Sequence, residues 1–183
     1  IGEILKAHAI AGPAKFDAVA AEYEGMLERG AVLEKWIRSS LDIKKEYIEE
    51  DEFDRARRNI FNYGHSFGHA IESVTNFAVP HGIAVAHGLV AEVRWAVERG
   101  ICVDPELPGR VASVLARLGM PALPQDLDRT VAEQAMQVDK KAVGDMMTLP
   151  VPRRAGEFVL HPLPRVRLPE LLRHLDTNES TTP

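Results

Sequence analysis

The stretch Arg58-Asn59-Ile60-Phe61-Asn62-Tyr63-Gly64-His65-Ser66-Phe67-Gly68-His69, followed by His81-Gly82, decides how this chain is read. His65 and His69 are four residues apart, so on a helix they share one face, one turn above the other. Pro80-His81-Gly82 reads as a loop leading into the next helix, which brings His81 back over that face. Imidazoles grouped in this way suit a divalent metal such as zinc. A single histidine in such a place is more often a helix cap or a buried, hydrogen-bonded ring. The whole set, with Gly64 and Gly68 allowing close backbone approach, favours a metal site.

Outward from this stretch the pattern is helical. Lys15 to Leu27 carries Phe16, Val19, Ala20, Tyr23 and Leu27 at a helical period, with Gly30 as a stop. Val32 to Tyr47 repeats the pattern. The acidic run from Glu49 to Asp54 reads as a solvated helix N-terminus, and a third helix is predicted from about Asp54 through Val74, carrying His65 and His69. Gly64 and Gly68 would each cost such a helix about 1 kcal/mol, as glycines do where packing is tight or a ligand is close. Gly82 to Glu98 reads as a buried apolar helix ended by Gly100. Helices are also predicted over Pro108 to Leu118, Asp128 to Val138 and Leu168 to Leu175. Met146 to Val151 and Glu157 to His161 read as short strands. The fold class is therefore mainly α, a multi-helix domain with a two-stranded appendage. Residues 1–176 are expected to form a single helical metal- and substrate-binding domain, and 177–183 a disordered tail.

Composition narrows the function classes. At 183 residues, 45% hydrophobic and 27% charged, the chain has the make-up of an ordinary globular domain. Its net charge of −5 gives no electrostatic reason to expect nucleic acid. No apolar run reaches membrane-spanning length and the N-terminus is not a signal peptide, so no membrane is expected. One cysteine, Cys102, excludes an internal disulfide and fits the cytoplasm. No Gly-rich phosphate fingerprint follows a strand. Ile1 stands where a start methionine would, so the chain reads as one domain cut from a longer protein.

The central residues also carry a resemblance. Asn62-Tyr63-Gly64-His65-Ser66-Phe67-Gly68-His69-Ala70-Ile71-Glu72, then His81-Gly82-Ile83-Ala84-Val85-Ala86-His87-Gly88, resembles the signature of the 3-dehydroquinate synthase family of sugar phosphate cyclases. The resemblance runs from Gly2 to about Gly156. It implies that this is the C-terminal, helical, metal-binding half of such a protein, with NAD bound mainly by an upstream domain and Zn2+ or Co2+ bound here. It implies the ligand set Glu3, His65 and His81, with Glu3 in Gly2-Glu3-Ile4-Leu5-Lys6. By spacing alone Glu72 is as good a choice as Glu3, and a His65/His69 pair as good as His65/His81. The resemblance further implies that Lys6, Lys44, Arg58, Asn62, His69 and Lys140 contact a small anionic phosphorylated sugar. Arg58 would take its carboxylate by paired hydrogen bonds. Lys45 and Lys141 stand beside two of these positions as alternatives.

The implied reaction is NAD- and metal-dependent phosphate elimination and intramolecular aldol cyclisation of 3-deoxy-arabino-heptulosonate 7-phosphate, with no net redox change. In the whole protein a homodimer is expected, and residues 1–183 alone are expected to be inactive. Ile83 replaces the glutamate of the usual His-Gly-Glu-Ala-Val form, which points to a divergent branch. A cyclase of sedoheptulose 7-phosphate type in secondary metabolism, a metal-dependent NAD polyol or glycerol dehydrogenase, and a helical interaction domain without catalysis are the rival readings. Asn62, His69 and Asp139-Lys140-Lys141 keep the dehydroquinate synthase form and favour the first.

Overall fold

The computed structural model describes residues 1–51, 57–117, 119–124, 127–137 and 145–175. Helix α1 spans Gly2–Ala11, α2 Pro13–Ala21, α3 Tyr23–Leu27 and α4 Ala31–Glu50. A 3-10 segment, Arg57–Asn62, leads into α5, His65–Val74, and α6, His81–Glu98. Helices α7, Leu107–Arg117, and α8, Arg129–Gln137, precede strands β1, Met146–Arg154, and β2, Glu157–Pro164. The described residues end with α9, Leu168–Leu172, flanked by 3-10 turns. The fold is mainly helical with one antiparallel two-stranded ribbon, as its periodicity predicts.

Buried apolar side chains from the helices and from β1 form one cluster, with Leu5, Phe67, Ile71, Leu89, Trp95, Met136, Leu149 and Leu168 fully enclosed. Helix α6 is central to it: α1, α5, α7 and β1 all pack on it. The ribbon pairs Met147 with Leu163, Leu149 with His161 and Val151 with Val159. Met147, Leu149 and Val151 turn one face into the core, and the intervening Pro150 and Pro152 are buried as well. Pro150, Pro152, Pro162 and Pro164 all fall in the alternate set of pairs. That set makes no cross-strand N–H bonds, so none of the prolines interrupts the ladder.

Three expectations change. The helix predicted over Asp54–Val74 is instead a 3-10 segment and a separate helix, because Gly64 takes a left-handed φ of 77° and breaks the path. The helix predicted over Lys15–Leu27 divides at Glu22, whose carboxylate accepts hydrogen bonds from Lys35 and the Trp36 indole. Glu49 and Glu50 do not open a helix but end α4, an unfavourable place for acids beside the C-terminal dipole. Lys45 and Arg57 answer those two charges. Residues 52–56, 138–144 and 177–183, with the candidate Lys140, its neighbour Lys141 and the tail, lie outside the described residues.

One buried polar contact ties α1 to α4. His8 donates from Nδ1 to the Ile4 carbonyl at 2.7 Å and accepts at Nε2 from the Ser39 hydroxyl at 2.8 Å. Its ring meets the Trp36 ring edge-on at 5.0 Å. Burial, and to a lesser degree the Lys15 charge, hold its pKa below the ordinary 6.5. The unfolded chain therefore binds this proton more readily than the folded one, and stability contributed by the neutral ring is lost as pH falls below 6.5. Urea unfolding followed from about pH 7 to about pH 5 should show a falling stability, with a slope of at most about 1.4 kcal/mol per pH unit from this group. A His8→Gln variant should lose that share of the slope.

Candidate metal centre

Helices α1, α5 and α6 meet at their N-terminal ends, and each contributes one residue. Their approach is set by glycines. A Cβ on Gly2 would lie 1.9 Å from the Gly82 carbonyl oxygen, so the first turns of α1 and α6 are in backbone contact. A Cβ on Gly88 would lie 2.0 Å from the Gly64 oxygen, and one on Gly68 3.1 Å from the Val85 side chain. These contacts bring Glu3, His65 and His81 together although they are far apart in sequence.

His65 opens α5 directly after Gly64. Its Nδ1 lies 3.3 Å from the Tyr63 carbonyl oxygen, which can only accept, so Nδ1 carries the proton. His81 opens α6, and its Nδ1 lies 3.1 Å from Glu72 Oε1, which fixes the proton on Nδ1 in the same way. The two Nε2 atoms then face Glu3 Oε1 at 3.3 Å from His65 and 3.7 Å from His81. Lone pairs of three atoms converge on one point. Without a cation or added protons there, they repel.

Lys6, buried to 3% exposure, donates to both Glu3 oxygens at 3.1 and 2.9 Å. Burial works to raise the Glu3 pKa, but the charge and hydrogen bonds of Lys6 hold it below the usual carboxylate value. Glu3 thus stays anionic. Lys6 also lies 5.8 Å from the centre of the Phe61 ring. A cavity of about 200 Å³ opens beside the cluster, with Glu3, Lys6, Lys44 and Phe61 among its walls. Lys44 lines it, whereas Lys45 turns to Glu49 at 3.6 Å.

The remaining candidates are less closely gathered. His69 lies on the exposed side of α5, its ring centre 5.6 Å from that of His65 and 6.2 Å from that of His81. Arg58 and Asn62 sit on the 3-10 segment before Tyr63. The Arg58 backbone N–H donates to Asp51, and the Asn62 amide to Asn59 at 3.2 Å. Neither lines the cavity that holds Lys44.

Sequence reasoning missed two supports. Glu92, fully buried on α6, accepts the Gly64 N–H at 2.9 Å and so holds the turn that aims His65. Beside it the Tyr63 hydroxyl donates to the Leu89 carbonyl at 2.8 Å. Burial, with the Glu92 charge, keeps that hydroxyl protonated. The signal for Glu92 was a single acid midway along an otherwise apolar helix. The second support is Glu72, which the spacing offers as a ligand and the structure places behind His81.

A family described as 3-dehydroquinate synthase C-terminal matches residues 1–142. The chain belongs to this family. A 3-dehydroquinate synthase of Dehalococcoides mccartyi (strain CBDB1) is 33% identical over 161 residues, which are 87% of this chain and 45% of the relative. One of Symbiobacterium thermophilum is 36% identical over 133 residues, 72% of this chain and 37% of the relative. The chain thus spans less than half the length of these relatives. Among solved structures, 2-epi-5-epi-valiolone synthase of Streptomyces hygroscopicus subsp. jinggangensis 5008, with NAD+ and Zn2+ bound, superimposes with a TM-score of 0.74. It is 23% identical and covers 95% of this chain and 49% of its own. A 2-deoxy-scyllo-inosose synthase complexed with carbaglucose-6-phosphate, NAD+ and Co2+ gives a TM-score of 0.66 at 22% identity, covering 77% of this chain and 41% of its own. At these identities the likeness is one of fold. Among the described residues no helix is long and apolar enough to cross a membrane.

Replacing Glu92 by Ala should leave the Gly64 N–H buried and unpaired, at a cost of about 1 to 3 kcal/mol in urea unfolding. Glu92→Gln, which keeps a carbonyl oxygen in place, should lose distinctly less.

Proposed function

We propose that this chain is the metal- and substrate-binding part of a 3-dehydroquinate synthase-like enzyme. The reaction would be NAD- and metal-dependent phosphate elimination and cyclisation of 3-deoxy-arabino-heptulosonate 7-phosphate. The observation that carries the reading is the convergence of Glu3 Oε1 and the Nε2 atoms of His65 and His81. Their separations of 3.3 and 3.7 Å match the edge of about 3.3 Å that a tetrahedral zinc with ligand bonds near 2.0 Å demands. Two neutral imidazoles and one carboxylate also make the donor set of a catalytic zinc with an open position. When bound, a divalent ion supplies Lewis acidity to substrate hydroxyls.

The chain's own residues do the rest. Lys6 holds Glu3 in its anionic form and adds positive charge to the cavity. Lys44, on the facing wall, draws in an anionic group of the substrate. His69, exposed beside the cluster, is suited to meeting the phosphate, and Arg58 the carboxylate. Asn62 and Lys140 complete the proposed set. Among the described residues no strand runs through a glycine-rich turn into a helix, so no residue here is assigned to NAD and no step is derived through it. Relatives above 30% identity include 3-dehydroquinate synthases of Dehalococcoides mccartyi and Symbiobacterium thermophilum, which favours the heptulosonate over other sugar phosphates.

The test uses the full-length parent protein with NAD and Zn2+ or Co2+, following phosphate release. Release from 3-deoxy-arabino-heptulosonate 7-phosphate is expected. Glu3→Gln, His65→Ala and His81→Ala should each weaken metal binding at least about 100-fold and abolish turnover. Release from sedoheptulose 7-phosphate alone would move the protein to another cyclase. Net NADH formation from a polyol, without phosphate release, would replace the cyclase reading by a dehydrogenase.

A further inference from the structure

We propose that Glu72 is the positioning residue of His81: its carboxylate selects the ring tautomer whose Nε2 lone pair is available beside Glu3 and His65. The inference rests on the metal reading above for its consequence, but its geometry stands apart. Glu72 Oε1 lies 3.1 Å from His81 Nδ1, on the side of the ring away from Glu3. A carboxylate only accepts, so the proton must be on Nδ1. Left to water, an imidazole prefers the proton on Nε2, the atom that here must be bare.

The backbone makes this contact specific. Glu72 stands in the last turn of α5, and a hook of a few residues returns the chain to His81. The Phe77 N–H donates to the Glu72 carbonyl at 2.7 Å and the Ala78 N–H to the Thr75 carbonyl at 3.0 Å. The Thr75 hydroxyl donates to the Ile71 carbonyl at 2.7 Å and accepts the Val79 N–H at 3.4 Å. Asn76 and Phe77 both adopt left-handed φ values, 48° and 60°. Such values are costly for residues other than glycine and are kept where the surroundings enforce them. The Glu72 side chain is 12% exposed, so its hydrogen bond is shielded from competing water.

A different use of the same residues is testable alongside. His69, Glu72 and His81 also offer ligand atoms within 4.8 Å of one another. A cation there would take His81 through Nδ1 and break the observed bond to Glu72.

The experiment has two readouts on the full-length protein. The first is the 15N spectrum of the histidine rings without metal. Wild type should show His81 with its proton on Nδ1, Glu72→Ala should shift it to Nε2, and Glu72→Gln, whose amide oxygen still accepts, should retain Nδ1. The second is Co2+ titration against a chelator, with the visible absorption of bound cobalt. One equivalent is expected in each protein, with affinity reduced about 10- to 100-fold in Glu72→Ala and largely recovered in Glu72→Gln. An unchanged tautomer in Glu72→Ala overturns the proposal. So does loss of one of two bound equivalents, which would make Glu72 a ligand. If wild type binds no cobalt while the tautomer shifts as expected, the metal reading fails and the positioning role survives.

Discussion

Helix α6 meets two other backbones through glycine, at Gly82 against Gly2 and at Gly88 against Gly64. The placement of each candidate ligand follows from these contacts. Any side chain at Gly2 or Gly88 would drive the helices apart, and interiors at native packing density yield little. The first contact sets Glu3 beside His81. The second, with Glu92 accepting the Gly64 N–H, fixes the turn from which His65 projects. The backbone contacts thus fix the points from which the side chains of the site project.

Electrostatics completes what packing begins. A carboxylate that faced two imidazole lone pairs alone would gain by taking up a proton. The buried Lys6 prevents that by bonding both Glu3 oxygens. The proton acceptors behind the rings, the Tyr63 carbonyl and Glu72, keep both Nε2 atoms turned inward. The arrangement is electron-rich at its centre and cationic at its rim, where Lys44 stands. Such a rim attracts phosphate and carboxylate groups while the centre remains suited to a metal ion.

Much of this was legible in the sequence, and the limits have physical causes. Helical period located α4, α7 and α8 well, because their apolar faces recur every third or fourth residue, and the long apolar run ended by Gly100 located α6. It misread Asp54–Val74 as one helix, since the left-handed turn at Gly64 is imposed by its approach to the Val85 carbonyl on a distant helix. Spacing within α5 could not separate His69 from His81, nor Glu72 from Glu3, as partners of His65. That choice depends on the Gly2–Gly82 contact, which no local pattern encodes. The family resemblance supplied Glu3 where spacing did not. Lys44 and Lys45 look alike in sequence, and only the rotation of α4 sends one to the cavity and the other to Glu49.

The ribbon of β1 and β2 has its own consequence for how the molecule behaves in a crowded solution. A sheet of two strands consists entirely of edges, and an open edge recruits strands from other molecules. Pro162 and Pro164 remove donors from the outward side of β2, while on β1 the stretch with Pro150 and Pro152 is buried against the rest of the fold. A strand arriving from another molecule would find gaps where it needs N–H groups. The ribbon can therefore cover the core without seeding a growing sheet, a protection against aggregation built from the imino acids themselves.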